Sequence, residues 1–258
     1  MNLTRTIVNG ILRALLRTAI RVDDADLAKL PAEGPLIAAL NHINFLDAPL
    51  MFTHCGSRHI AALAKTETWD NPLFAFLFNV WEGIPINRGT NDRRAFDLSL
   101  KALADRKILA IAPEGTRSGT GQLGQGHAGI LPLALRSGAP IIPVAIYGTE
   151  KFWENIKRLR RTDFHIVVGN PFRLVSDDRV MGRDEREQMI SEIMYQLAAL
   201  LPPSYRGYYA DLSKATETYV KFEPGIESNL RRAGVVPPPP PPAPAALPRI
   251  PLPQPPEN

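Results

Sequence analysis

Three short stretches of this chain combine residue types that can do chemistry. The first is Asn41-His42-Ile43-Asn44-Phe45-Leu46-Asp47. A tight turn between His42 and Asp47 brings a carboxylate to an imidazole. An aspartate held on one ring nitrogen fixes the tautomer and supports the imidazolium, leaving the other nitrogen as a general base. Taken alone, the same residues also suit a helix cap at Asn44 or Asp47 beside a turn histidine. The second stretch is Pro113-Glu114-Gly115-Thr116-Arg117-Ser118. Backbone can approach an anion closely at Gly115, and Arg117 offers a planar fork for phosphate oxygens. A polar turn with a solvated arginine is the plainer alternative. The third, Gly83 through Gly89, carries Arg88, which can converge on the same anion.

The elements around these stretches explain why they should meet. Short apolar runs at 36–40, 60–64, 84–87, 108–112, 141–147 and 164–168 read as strands. Helical patterns at 46–54, 72–80, 92–104, 130–136 and 183–201 lie between and after them. This alternation predicts an α/β layered body with a largely buried sheet. Each of the three stretches sits at a strand end, and strand ends are where open α/β sheets place their sites. Residues 204–236 carry weak signals and are expected to wrap the body. The glycine-rich run 119–129 reads as a mobile loop beside the site.

Other matches fail on context. Gly119-x-Gly121-x-x-Gly124 does not open from a strand into a helix, and no acid lies about 20 residues beyond it. His127-Ala128 follows Gly121 to Gly126 where a phosphate-binding loop needs Lys-Ser/Thr. There is no Gly-x-Ser-x-Gly elbow for a serine nucleophile. The other histidines show no metal-ligand spacing, so no metal is expected. The single cysteine, Cys55, excludes an intramolecular disulfide framework.

The N-terminus differs in kind. On a helical wheel, Ile7, Val8, Ile11, Leu12, Leu15, Leu16 and Ala19 share one half, and Arg5, Asn9, Arg13, Arg17 and Arg21 the other. A basic amphipathic helix of this composition suits a membrane interface, or the face of a folded body with its arginines in solvent. It has no aromatic residue to stack on bases, so nucleic acid is not an expected partner. The net charge of +4 is local to such segments. At the other end, residues 237–258 hold 12 of the 25 prolines. That tail is expected to be disordered polyproline II, a spacer or a ligand for a proline-reading partner. The division expected is 1–29 as a membrane-associating helix, 30–236 as the catalytic domain and 237–258 as the tail.

In order and spacing, Asn41-His42-x4-Asp47, Arg88, Pro113-Glu114-Gly115-Thr116-Arg117-Ser118 and Pro140-Ile141-Ile142-Pro143-Val144 resemble the four motif blocks of the glycerolipid acyltransferases. The resemblance covers residues 30 to 200 and is nearest to the bacterial lysophosphatidic acid acyltransferases. Lys65-x-Glu67 is similar to a pair the family often carries between the first two blocks. The resemblance implies direct acyl transfer from acyl-CoA or acyl carrier protein to the hydroxyl of lysophosphatidic acid, without cofactor or covalent intermediate. It implies His42 as the base oriented by Asp47, and Arg88, Arg117 and the Glu114–Gly115–Thr116 turn, with Lys65, at the acceptor. Ile84, Pro85 and Asn87 depart from the family pattern, which keeps other lysophospholipids open as acceptors. A bilayer substrate gives the N-terminal helix a purpose, and the expected location is the cytoplasmic face of the membrane, as a peripheral protein.

Overall fold

The computed structural model describes residues 3–31, 35–56, 59–176 and 181–238. The proline-rich tail lies outside the described residues from position 239 onward. The chain runs through α1 (Leu3–Ala19), β1 (Ile20–Asp23), β2 (Leu36–Leu40), α2 (Asp47–His54), β3 (Ile60–Lys65), α3 (Pro72–Val80), β4 (Ile84–Ile86), α4 (Arg93–Ala104) and β5 (Ile108–Ile111). It continues through α5 (Leu131–Ser137), β6 (Ile141–Tyr147), α6 (Phe152–Lys157), β7 (Thr162–Val168), β8 (Arg173–Leu174), α7 (Arg183–Ala198), β9 (Val220–Lys221) and α8 (Asn229–Arg232).

Local chemistry sets several boundaries. Asn71 accepts hydrogen bonds from the Leu73 and Phe74 amides, and Pro72 fits the first turn that follows, so α3 begins there. Asp92 caps α4 through the Ala95 amide. Gly138, at φ +62°, takes the left-handed position that ends α5.

Among the described residues seven strands form one sheet, in the order β1-β7-β6-β2-β5-β3-β4. Neighbours are parallel except β6 and β7. Side chains alternate between two cores with the strand period of two. Ile37 and Ala39 of β2 join the core under α4, α5 and α7, whereas Leu36, Ala38 and Leu40 join the core under α1, α2 and α3. Both faces are covered, which is why these strands read as continuous apolar runs. The chain steps from β2 outward to β3 and β4, returns as β5, and crosses to β6 on the other side of β2. That reversal opens a crevice at the carboxyl ends of β2 and β5.

The N-terminal helix differs from its wheel. It packs by one flank, with Val8, Leu12 and Leu16 against the sheet core. Polar residues share that flank. Asn9 donates to the Phe52 carbonyl at 3.1 Å and accepts from Trp81 Nε1 at 2.8 Å. Arg13 meets Asp24 at 3.3 Å, and Arg5 is buried. Only part of the apolar half is therefore used by the fold. Leu3, Ile7, Ile11 and Leu15 form a stripe 52–72% exposed. The segment is also continuous with the sheet, because β1 adds an edge strand beside β7. Arg21 there pairs with Asp163 at 2.5 and 3.0 Å.

Residues 204–236 wrap the body as expected, burying Leu212, Ala215, Val220 and Leu230 in the core of α7. The 119–129 loop is pinned, contrary to expectation. Leu123 is buried and trades backbone hydrogen bonds with Tyr205 and Tyr208. Its glycines serve close approach: a Cβ on Gly126 would lie 2.6 Å from Met194 Cγ. Among the described residues no helix is long and apolar enough to cross a membrane.

Candidate active site

The last residue before the His42–Asp47 turn is held as if it were still sheet. The buried Asn41 carboxamide donates to the Ile146 carbonyl at 2.7 Å and accepts from its amide at 2.8 Å, so a side chain continues the pairing between β2 and β6. His42 then emerges at the carboxyl edge of the sheet.

Asp47 gathers this turn. Its Oδ2 accepts from His42 Nδ1 at 2.6 Å, from the Ile43 amide at 2.7 Å and from the Asn44 amide at 3.0 Å. Asp47 is buried, and its Oδ1 has no partner among the described residues. A carboxylate can only accept here, so Nδ1 carries the proton, and in the neutral imidazole Nε2 then presents its lone pair. The His42 side chain is 21% exposed, so part of the ring reaches the surface of the edge. Asn44 braces the turn by accepting from the Leu46 amide and donating to the Thr149 carbonyl.

Glu114 holds the turn from the other side. Its Oε1 accepts from the His42 amide at 2.8 Å and its Oε2 from the Gly124 amide at 2.7 Å. Burial pushes this carboxyl above its ordinary range, while the two amides pull the other way. Both oxygens are thus engaged with backbone rather than directed outward. Gly115 turns the chain at φ +67°, a conformation that favours glycine. Its amide donates to the Ala112 carbonyl. The loop then returns to the His42–Asp47 turn, the Ser118 amide donating to the His42 carbonyl at 2.8 Å and the Gly119 amide to the Ile43 carbonyl at 3.1 Å. The exposed side chains of Thr116 and Arg117 stand between these anchor points.

Lys65 and Arg88 follow at the carboxyl ends of β3 and β4, both exposed. Their loops are tied together. Thr66 donates to Asn87 Oδ1 at 3.0 Å, and Asp92 Oδ2 accepts from the Asn87 amide and carboxamide. All the residues singled out from the sequence therefore lie along one edge, at the ends of the adjacent strands β2, β5, β3 and β4. Lys65, Arg88 and Arg117 bring three positive charges to that edge, with Glu67 and Asp92 on the same loops. Among the described residues no three His, Cys, Asp or Glu side chains are placed to hold a metal ion.

Sequence reasoning missed the supports behind this edge. Glu150 accepts from Tyr205 Oη at 2.8 Å and from the Gly148 amide at 3.1 Å. Tyr209 accepts from the Gly126 amide, and burial pushes its phenol up to about 12. The partners come from a segment without clear periodicity, so no local pattern announces them. Phe45 stacks on Trp153 of α6 at 5.6 Å, a contact equally invisible in the sequence.

Residues 21–147 match the family model described as Acyltransferase. A 1-acyl-sn-glycerol-3-phosphate acyltransferase of Bacillus subtilis is 23% identical over 192 residues, 72% of this chain and 93% of that protein. A chloroplastic protein of the same name from Brassica napus is 26% identical over 180 residues, 67% of this chain and 51% of that protein. The chain spans about half the length of the first curated relatives it matches. The crystal structure of the 1-acyl-sn-glycerophosphate (LPA) acyltransferase PlsC from Thermotoga maritima shares the fold. Its TM-score is 0.53 at 22% identity, over 74% of this chain and 75% of that one.

Proposed function

We propose, from the match of residues 21–147 to the acyltransferase family model, that this protein moves a fatty acyl group from a thioester to the free hydroxyl of lysophosphatidic acid. The donor is acyl-CoA or acyl carrier protein. The observation that carries this reading is the 2.6 Å contact between His42 Nδ1 and Asp47 Oδ2, at the sheet edge that also carries Lys65, Arg88 and Arg117.

His42 Nε2 accepts the proton of the acceptor hydroxyl as that oxygen attacks the thioester carbonyl carbon. Asp47 stabilises the imidazolium that forms. The tetrahedral intermediate collapses with cleavage of the carbon–sulfur bond, and the imidazolium returns the proton to the thiolate. No covalent acyl-enzyme is needed. Arg88, Arg117 and Lys65 hold the acceptor phosphate, the arginines through planar forks. Gly115 and Thr116 shape the anion-facing turn, and Glu114 positions the His42 backbone.

The exposed stripe of Leu3, Ile7, Ile11 and Leu15 explains how a lipid acceptor reaches the edge. It lies on the interfacial layer of the inner leaflet, with Arg17 beside it at the head groups. The protein is thus read as peripheral at the cytoplasmic face. The deciding experiment is thiol release from acyl-CoA, with lysophosphatidic acid and other lysophospholipids as acceptors. His42→Ala should lose activity by roughly 10²–10⁴-fold, the usual contribution of a positioned base, while its thermal unfolding is unchanged. A folded His42→Ala protein as active as wild type would overturn the mechanism.

A further inference from the structure

The connection between β6 and β7 carries three large apolar side chains into solvent. Trp153 is 62% exposed, Ile156 36% and Leu159 98%. Leu159 also has φ +52°. Glycine or asparagine takes that left-handed conformation at lower cost than leucine. A leucine almost without contacts and in a disfavoured backbone gains nothing from the folded chain. Strain and exposure together mark a side chain placed for something outside the molecule.

The surroundings of these residues indicate what that is. Lys151, Lys157, Arg158 and Arg160 are all exposed. The one acid in this stretch, Glu154, pairs with Arg158 at 3.0 Å. The stretch is fixed at both ends to parts already described. Next to it, Thr149 accepts from Asn44, and Trp153 stacks on Phe45, so it abuts the catalytic turn. Beyond it, Arg161 donates to the carbonyls of Arg17 and Ile20 at the end of α1. A cavity at that junction is lined by Arg17, Arg21, Arg161 and His54, with Asp24 on its wall. The end of α1 is therefore joined through a basic seam to the strand entry that follows residues 151–160.

We propose that residues 151–160 are a second membrane-docking element, with Trp153, Ile156 and Leu159 entering the interfacial layer of an anionic bilayer and the basic side chains at its head groups. This rests on the reading of the acceptor as a lipid and extends the membrane contact beyond α1. A bilayer fits better than an acidic protein. The apolar residues form a projecting tip rather than a groove, and a tryptophan between lysines and arginines is the composition of an interface. Docking there sets the His42 edge against the surface that delivers the hydroxyl.

The test uses the full chain and vesicles of phosphatidylglycerol with phosphatidylcholine, with bromine on the acyl chains to quench tryptophan on contact. Trp81 is buried and Trp69 half-buried, so Trp153 should report the bilayer. Quenching is expected in the wild type and largely lost in Trp153→Phe, which still floats with vesicles through α1. Leu159→Gly removes the tip while relieving the left-handed backbone, so it should fold at least as well. It should weaken vesicle affinity roughly tenfold. Quenching unaltered by Trp153→Phe, or vesicle affinity unaltered by Leu159→Gly, overturns the proposal. So does a Leu159→Gly protein that loses only binding to an acidic carrier protein. Thiol release with a short-chain, water-soluble acceptor needs no vesicle and separates the two readings. Its absence in wild type would sink the acyl-transfer mechanism even where Trp153 is quenched, and its presence without quenching sinks the docking element alone.

Discussion

Replacing Asp47 by asparagine probes the site more sharply than deleting the histidine. Three donors converge on Asp47 Oδ2, so the asparagine must put its carbonyl oxygen there. Its NH2 then occupies the place of Oδ1, which has no partner. The hydrogen bond to Nδ1 survives, and with it the tautomer that exposes the Nε2 lone pair. What disappears is the charge opposite the imidazolium. Two unit charges about 4 Å apart at an effective dielectric of about 20 interact by about 4 kcal/mol, an upper bound here. At about 1.4 kcal/mol per decade, kcat should fall by roughly 10²–10³-fold. Stability should fall by only about 1–3 kcal/mol, the cost of one buried unpaired NH2. Asp47→Ala should behave differently, because it strips the acceptor from all three donors and lowers the unfolding temperature much further. The measurements are thiol release at saturating acyl-CoA and acceptor, alongside thermal unfolding. An Asp47→Asn enzyme that keeps wild-type kcat would show that no imidazolium forms in the rate-limiting step. Equal unfolding temperatures for the two variants would refute the three-donor account of Oδ2.

Glu114→Gln sets an NH2 against the His42 or Gly124 amide, so unfolding should cost about 1–3 kcal/mol less, with a matching loss of kcat. Because burial raises the Glu114 carboxyl, the folded chain keeps this proton at a pH where the unfolded chain has released it. Its contribution to stability is full below the ordinary carboxylate range and lost as pH rises through the raised value; denaturant titrations from about pH 4 upward should show a slope that Glu114→Gln removes. Arg88→Ala and Arg117→Ala should each raise the apparent KM for the phosphorylated acceptor roughly 10- to 150-fold and leave that for acyl-CoA little changed, with lysine a poor substitute. Changing Ile11 and Leu15 together to glutamate should release the protein from anionic vesicles in flotation without altering its unfolding temperature, since both side chains are exposed; the same changes at Leu12 and Leu16 should destabilise it.

The sequence disclosed what depends on one element at a time. Apolar runs marked β2, β5 and β6 because both faces of the sheet are covered, and the helical pattern opening at Pro72 marked α3. The spacing of His42 and Asp47 was legible because one turn contains both. What stayed hidden depends on distant partners. β1 is four residues long with two charges, and its logic is the pairing of Arg21 with Asp163, 142 positions away. Glu114 looks like a group facing substrate until the amides of His42 and Gly124 are seen to occupy both its oxygens. The 119–129 glycines suggested mobility, whereas the tyrosines of the 204–236 segment press against that loop. Asn9 and Arg13 sat on the polar half of the wheel, yet their partners are Phe52, Trp81 and Asp24 of the body. Lys65, Arg88, Thr116 and Arg117 reach the same edge through the strand order, which no single stretch encodes.

The edge strand β1 also fixes where this chain can be cut. Its four residues pair in register with β7, Ile20 opposite Thr162 and Val22 opposite Phe164, and Ile20 is fully buried. A truncation at residue 21 would remove the amphipathic helix and half of the strand, leaving the β7 edge open to pair with another molecule. Such a protein would tend to aggregate, and its failure would say nothing about lipid. The helix is moreover anchored at its far end by Arg161, and along its length by Asn9 and Arg13. A variant free of membranes is therefore to be made by repainting Leu3, Ile7, Ile11 and Leu15 with polar side chains, keeping every residue of the backbone. The same reasoning excludes fusion partners spliced at position 20, and places a safe junction ahead of Leu3.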